Sequence, residues 1–157
     1  MRRFRLLTGA VAGCLATFPM TVLMERLHRK LPVQEQYPLP PSEITAKLTA
    51  DVGLQPSLTP EQHRTLILLA HFGYGSTAGA LYNVTAAHLP APLMVRDLLF
   101  GLCVWIASYL GLLPVLGILR PATQHPPRRT ALMIVAHAVW GVTLALLVQQ
   151  SEHLTSA

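Results

Sequence analysis

Four long apolar stretches dominate the chain, and its charged residues collect between them and at the termini. The stretches cover residues 6–24, 66–87, 98–119 and 130–148, and none of them contains Asp, Glu, Lys or Arg. A hydrocarbon core about 30 Å thick needs roughly 20 helical residues at about 1.5 Å each. Helices are required because a backbone in lipid must satisfy its own N–H and C=O groups. We therefore expect an all-α fold, a four-helix transmembrane bundle that forms one membrane domain over residues 1–157.

The composition agrees with a lipid environment. Apolar residues make up 52% of the chain and charged residues 12%, whereas a soluble domain carries about 25% charge. The formal net charge of +5 comes from termini and loops, where it favours headgroup contact and sets topology. No basic stripe alternates with aromatic residues, so we expect no nucleic-acid partner. The expected partner is the lipid bilayer, together with a second copy of the chain or a membrane-complex subunit.

The first stretch carries a helix-packing motif. Gly9 and Gly13 lie four residues apart, the small-xxx-small spacing that lets two helix backbones approach closely in lipid. Pro19 removes a backbone donor and predicts a kink. The apolar run continues past Cys14 to Met24, so we expect a retained span and not a cleaved signal peptide.

The long first loop predicts a short extramembrane helix over about residues 42–52. Ser42 can cap its start and Gly53 can end it. The preceding Tyr37-Pro-Leu-Pro-Pro41 predicts a turn that is not helical. This helix lies on the membrane surface, folds over the mouth of the bundle or only connects the spans. After it, Thr59-Pro60-Glu61-Gln62 predicts a capping box with Pro at the first helical position, at the start of the second span.

Two of the stretches repeat a short motif. Ala70-His71-Phe-Gly-Tyr74-Gly75 aligns without gaps to Ala136-His137-Ala-Val-Trp140-Gly141, 66 residues later. The repeat predicts two related helical hairpins, spans one plus two and spans three plus four. Histidine, ring and glycine share one helix face, which we expect to point into the bundle because an unpaired imidazole in hydrocarbon is costly. The residues expected to pack the helices are Gly9, Gly13, Gly75, Gly79, Gly141, Tyr74 and Trp140.

His71 and His137 admit several interpretations. They can hydrogen-bond across helices and only fix the packing. They can hold a b-type haem between them, with Arg64 and Arg129 at its propionates. They can also relay protons in a small transporter subunit. Met133, four residues before His137, also leaves a soft-metal site open. No enzyme motif is present, and apart from haem b we expect no cofactor.

Several short segments together resemble a known group of proteins. They are Thr17-Phe-Pro-Met-Thr21, Met24-Glu-Arg-Leu-His28, Tyr37-Pro-Leu-Pro-Pro41 and the run from Ala70 to Gly75. The chain resembles small bacterial inner-membrane proteins of uncharacterised, YagU-like families. The resemblance implies a four-helix, multi-pass membrane protein with no established activity, and it supplies no catalytic residues. We expect a structural or accessory membrane component, with a haem-binding or metal-binding electron-transfer protein and a transporter or proton-relay subunit as alternatives.

Overall fold

The computed structural model describes residues 2–54, 57–85 and 93–156. Within these ranges the chain is helical and contains no strand. The five longer helices in the described ranges are α1 (Arg2–His28), α2 (Pro40–Asp51), α3 (Pro60–Thr85), α4 (Leu93–Ile106) and α5 (Pro127–Ser156). Helix α4 continues into a π-helical segment, Ala107–Leu112, and a last turn, Leu113–Val115.

Three helical segments of the described chain are long and apolar enough to cross a membrane. They are Phe4–His28, Val95–Val115 and Pro127–Ser151. These segments coincide with the first, third and fourth predicted spans. Helix α3, which corresponds to the second predicted span, is not among them, since polar residues such as His71 and Asn83 lower its hydropathy. The end of that predicted span, residues 86 and 87, lies outside the described residues.

The long helices pack in the order α3, α1, α5, α4. Helix α1 packs against both α3 and α5, and α5 packs against both α1 and α4. Helices α3 and α4, at the two ends of this series, do not pack broadly against each other. The candidate site lies in the space that this order leaves between them.

Glycines bring α1 and α3 into backbone contact. A Cβ atom built on Gly79 would lie 2.7 Å from the Cα of Gly13 and would overlap the carbonyl oxygen of Gly9. A Cβ atom on Gly13 would in turn overlap the carbonyl oxygen of Gly75. A side chain at these positions would push the helices apart, so the close crossing depends on glycine.

A similar contact joins α4 to α5. A Cβ atom on Gly141 would lie 2.5 Å from the carbonyl oxygen of Asp97 and 3.1 Å from the Cα of Gly101. Gly79 meets a carbonyl oxygen and a glycine Cα in the same way. Gly141 in the α4–α5 contact therefore corresponds to Gly79 in the α1–α3 contact. The alignment of the sequence repeat instead pairs Gly141 with Gly75, one helical turn away. The α1–α3 and α4–α5 pairs therefore use one kind of contact, but not at the glycines that the sequence repeat aligns.

The start of α2 corrects two predictions about the first loop. The helix begins at Pro40 after the N-cap residue Leu39, so Ser42 is inside the helix and is not its cap. The prediction of a turn that is not helical is wrong for Pro40 and Pro41. Proline is tolerated in the first turn because its missing N–H has no intrahelical acceptor there. At the other end Gly53, with a φ of 72°, follows the helix in the left-handed conformation predicted for its stop.

The start of α3 confirms the predicted capping box. The backbone N–H of Gln62 donates to the Thr59 hydroxyl oxygen at 3.2 Å, and the Gln62 side-chain oxygen accepts from the Thr59 N–H at 2.9 Å. Pro60 is the first residue of the helix. Two donors that a helix start leaves unpaired are thereby satisfied.

Candidate functional site

A cavity of about 380 Å³ lies among α1, α3, α4 and α5. Helix α2 contributes Pro41, Ile44 and Leu48 to its wall and packs against α3. The wall is largely apolar, and no Asp, Glu, Lys or Arg among the described residues lines it. Such a cavity suits an uncharged molecule, because nothing in it balances the cost of burying a charge.

His137 lies in the cavity wall and is 5% exposed. Its Nδ1 lies 2.8 Å from the carbonyl oxygen of Met133. A carbonyl only accepts, so Nδ1 donates the hydrogen and the Nε2 of the neutral ring keeps a lone pair. No residue that the structure describes donates a hydrogen bond to this Nε2. Tyr109 packs edge-on against the ring, with 5.6 Å between centroids.

His71 lines the same cavity from α3. Its Nε2 lies 3.1 Å from the hydroxyl oxygen of Thr21. That hydroxyl donates its hydrogen to the carbonyl oxygen of Thr17 at 2.7 Å, so it accepts from His71, and the lone pair of the neutral ring is on Nδ1. His71 and His137, both in the described part of the chain, therefore share a cavity without bonding to each other.

The π-helical segment Ala107–Leu112 supplies polar groups across the cavity from α3. It holds Ser108 and Tyr109 buried at the wall. Pro114, just beyond it, lacks the N–H that a regular helix turn would use, which favours a wide turn here. Ser108 donates to the backbone of its own helix at 2.7 Å, so the Tyr74 hydroxyl donates to Ser108, also at 2.7 Å. This bond connects α3 to the α4 side of the cavity.

Trp140 joins α5 to α1. Its indole N–H lies 3.3 Å from the carbonyl oxygen of Gly13 and 3.2 Å from the hydroxyl oxygen of Thr17, both on α1. Phe100 stacks on the indole with 6.3 Å between ring centroids. Tyr74, its counterpart in the sequence repeat, is 47% exposed. The repeated aromatic position is thus buried in α5 and half-exposed in α3.

Arg129 is buried beneath the first loop, at 2% exposure. Its guanidinium donates to the carbonyl oxygens of Glu35 at 3.3 Å, Tyr37 at 2.9 Å and Pro38. It also lies 3.6 Å from the Tyr37 ring centroid and 3.6 Å from the Glu43 carboxylate. Because these groups occupy its donors, Arg129 holds the loop onto the start of α5.

The structure brings the two predicted histidines together and places both predicted arginines elsewhere. Arg64 is exposed and does not line the cavity, and Arg129 is held by the loop. No group of three or more metal-ligating side chains occurs among the described residues. The cavity therefore contains the proposed axial pair without the proposed propionate partners.

A buried polar cluster at the start of α4 was missed by the sequence reasoning. The Tyr82 hydroxyl donates to the buried Asp97 carboxylate. Arg96 donates to that carboxylate at 3.3 Å and to the Tyr82 oxygen at 3.3 Å. The adjacent Arg and Asp are visible in the sequence as a pair of opposite charges. Their tyrosine partner is supplied by α3, so only the tertiary structure shows it.

These features define an all-helical protein whose three apolar helices are compatible with a membrane protein. The chain matches the family model described as "Protein of unknown function (DUF1440)" over residues 31–146, and it belongs to that family. This confirms the expectation of an uncharacterised family, while the bacterial, YagU-like assignment stays a prediction. Comparison with curated proteins and with solved structures gives no match.

Proposed function

We propose that this protein is a non-enzymatic accessory component of a membrane that holds an uncharged, lipid-soluble molecule between its helices. The observation that carries this proposal is the apolar cavity of about 380 Å³ with two imidazoles in its wall. A dry cavity of about 150 Å³ holds one benzene, so this one has room for roughly 15 carbon-sized atoms. The bacterial inner membrane is the proposed location, on the sequence resemblance alone.

Helix α3 is the fourth span in this proposal. It runs antiparallel to α1. Towards its C-terminal end Asn83 donates to the Arg5 carbonyl oxygen at 2.8 Å, and nearer its start His71 lies beside Thr21. The paired part of α1 is about 24 Å long at about 1.5 Å per residue. If α1 crosses the hydrocarbon, α3 lies in it over the same length. Asn83 faces α1 and His71 faces the cavity, while the exposed Thr77 donates to the carbonyl oxygen of Gly73 in its own helix, and these contacts lower the cost of placing polar groups in lipid.

The outer surface of α1 supports a lipid environment. Large apolar side chains are exposed along it at every third or fourth position, namely Leu7, Val11, Leu15 and Phe18. Such spacing places them on one helix face, opposite the glycine contact with α3. A stripe of this kind is expected where acyl chains, and not water, surround the helix.

Native mass spectrometry tests the ligand-binding proposal. Ala78 is buried and lines the cavity, so Ala78→Phe should fill the space, while Thr77→Phe places the same ring at an exposed neighbouring position. Protein extracted from membranes in mild detergent should retain an uncharged lipid in the wild type and in Thr77→Phe, and lose it in Ala78→Phe. Equal retention in the two variants, or no retained mass in any form, contradicts the proposal.

A second candidate is a b-type haem between His71 and His137, and the geometry of His137 favours it. A metal-ligating histidine donates its other ring N–H to a carbonyl or carboxylate, as His137 does to Met133. The Nε2 of His71 is engaged by Thr21, so that ring would have to turn, and the helices would have to move apart because a haem is far larger than roughly 15 atoms. A Soret band lost in both His71→Ala and His137→Ala supports haem. A folded, colourless protein from haem-supplemented cells contradicts it.

A further inference from the structure

We infer that the cavity selects a lipid alcohol, an uncharged lipid whose polar end is a hydroxyl group, and admits it from the bilayer between α3 and α4. This inference rests on the ligand-binding function proposed above. It names the chemistry of the ligand, which follows from hydrogen bonds that the cavity leaves unmade, and its route, which follows from the packing of α3 and α4.

Both imidazoles line the cavity, and each ring retains one hydrogen-bond acceptor. The backbone carbonyl of Met133 fixes the hydrogen of His137 on Nδ1, and the Thr21 hydroxyl fixes that of His71 on Nε2. Each ring therefore keeps one lone pair with no donor among the described residues. A ligand hydroxyl can supply that donor, whereas an ether or an ester oxygen only accepts and leaves the imidazoles unpaired.

Tyr109 offers the complementary group. It is buried on the π-helical segment, lines the cavity and packs against the His137 ring. No hydrogen-bond partner of its hydroxyl occurs in the described ranges of the chain. A ligand hydroxyl can accept from Tyr109 while it donates to His137, since a hydroxyl does both. A carboxylate or ammonium headgroup is disfavoured, because no charged side chain lines the cavity.

The gap between α3 and α4 provides the route. The two helices do not pack broadly, and side-chain bonds of Tyr82 with Asp97 and of Tyr74 with Ser108 cross the gap. Beyond the Tyr74 bond, the cavity-lining residues Leu112 and Leu116 are 53% and 59% exposed. A single hydrogen bond between two neutral hydroxyl groups contributes little net stability, so the Tyr74–Ser108 bond opens readily.

Tryptophan fluorescence of the full-length chain in phosphatidylcholine vesicles tests this inference. The chain has two tryptophans; Trp140 lines the cavity, and Trp105 stacks on Tyr109 with 6.3 Å between centroids. The probe is the quencher 11-bromo-1-undecanol, whose about 13 non-hydrogen atoms fit the available room. The matched comparator is its methyl ether, which has the same chain and bromine but no donor. Quenching by the alcohol should saturate at about tenfold lower concentration than quenching by the ether.

Variants separate hydroxyl selection from a structural effect. In His137→Phe and in Tyr109→Phe, the half-saturating concentration of the alcohol should rise several-fold towards that of the ether, which should not change. His71→Phe provides the same comparison should His137→Phe fail to fold. Trp105→Phe should leave the saturable quenching in place, since Trp140 reports on the cavity.

The entrance is tested by the rate of quenching after rapid mixing of vesicles with the alcohol. Tyr74→Phe removes the Tyr74–Ser108 bond and should speed the onset several-fold, and an unchanged onset overturns the lateral route. Equal half-saturation by alcohol and ether overturns hydroxyl selection, although the cavity then still binds lipid-soluble molecules. Quenching that only rises linearly, as for partition into the bilayer, overturns both the inference and the ligand-binding proposal.

Discussion

Gly79 on α3 lies directly against the backbone of Gly9 on α1. A Cβ atom on Gly79 would overlap the carbonyl oxygen of Gly9, whereas a Cβ atom on Gly73, in the same helix, would have no heavy atom within 4 Å. Gly79 and Gly73 lie in the same helix, but only Gly79 faces another backbone. Substitutions at these two positions therefore separate the packing role of glycine from its low helix propensity.

Gly79→Ala should lower the free energy of unfolding by about 1–3 kcal/mol, because the added methyl group forces the two helices apart. Gly73→Ala should leave it unchanged or raise it by up to about 1 kcal/mol, since alanine loses less backbone entropy in a helix. Titration with SDS in mixed micelles, followed by circular dichroism, measures both. Equal values for the two variants would mean that α1 and α3 do not cross at Gly79.

Arg129→Lys should free the first loop, although it keeps the charge. A lysine ammonium lacks the planar fork that reaches several carbonyl oxygens and stacks on Tyr37. Hydrogen exchange over residues 33–39 should speed up by about tenfold or more, corresponding to the loss of one or two net hydrogen bonds. Arg128→Lys is the control, since Arg128 is exposed, and it should not change the exchange. Equal protection in both variants would show that Arg129 does not hold the loop.

Alkaline pH should weaken the attachment of the same loop through Tyr37. Burial raises the pKa of Tyr37 above its usual value, which is about 10. The folded state therefore binds the phenolic proton more tightly, so the stability contribution is present below about pH 10 and is lost as the pH rises through the folded pKa. Thermal unfolding followed from about pH 9 to pH 11 should show a steeper decline for the wild type than for Tyr37→Phe. Parallel declines would exclude this residue as the cause.

Tyr82→Phe should destabilise the protein by about 1–3 kcal/mol, because it removes a donor from the buried Asp97 carboxylate. Tyr74→Phe, at a half-exposed position, should cost less than about 1 kcal/mol, since the Ser108 hydroxyl keeps its bond to the carbonyl oxygen of Val104. The same SDS titration measures both variants. A larger effect at position 74 than at position 82 would contradict the buried cluster at the start of α4.

Local chemistry in the sequence was sufficient to predict several features of the fold. The capping box of Thr59 and Gln62 and the stop at Gly53 depend on residues within one turn, and both are present. The start of α2 was misplaced because Ser42 is a good capping residue, while Pro40 at the first position serves equally well. Residues within one helical turn do not decide between two acceptable starts for the same helix.

The candidate site could be predicted only in part. The repeat drew attention to His71 and His137, which line one cavity. It gave no sign of Ser108 and Tyr109, because their placement depends on a π-helical turn that forms in the context of packing. The contacts of Arg129 with the first loop could not be predicted from the sequence either, because its acceptors are carbonyl oxygens more than ninety residues away along the chain.

The packing order of the helices has a consequence for any guest molecule. A two-fold axis that related the two imidazoles would exchange α1 with α4 and α3 with α5, so α3 would have to pack on α4 as α1 packs on α5, and it does not. His71 and His137 are therefore not equivalent across the cavity. An elongated guest of the kind proposed above would meet a different chemical setting at its head and at its tail.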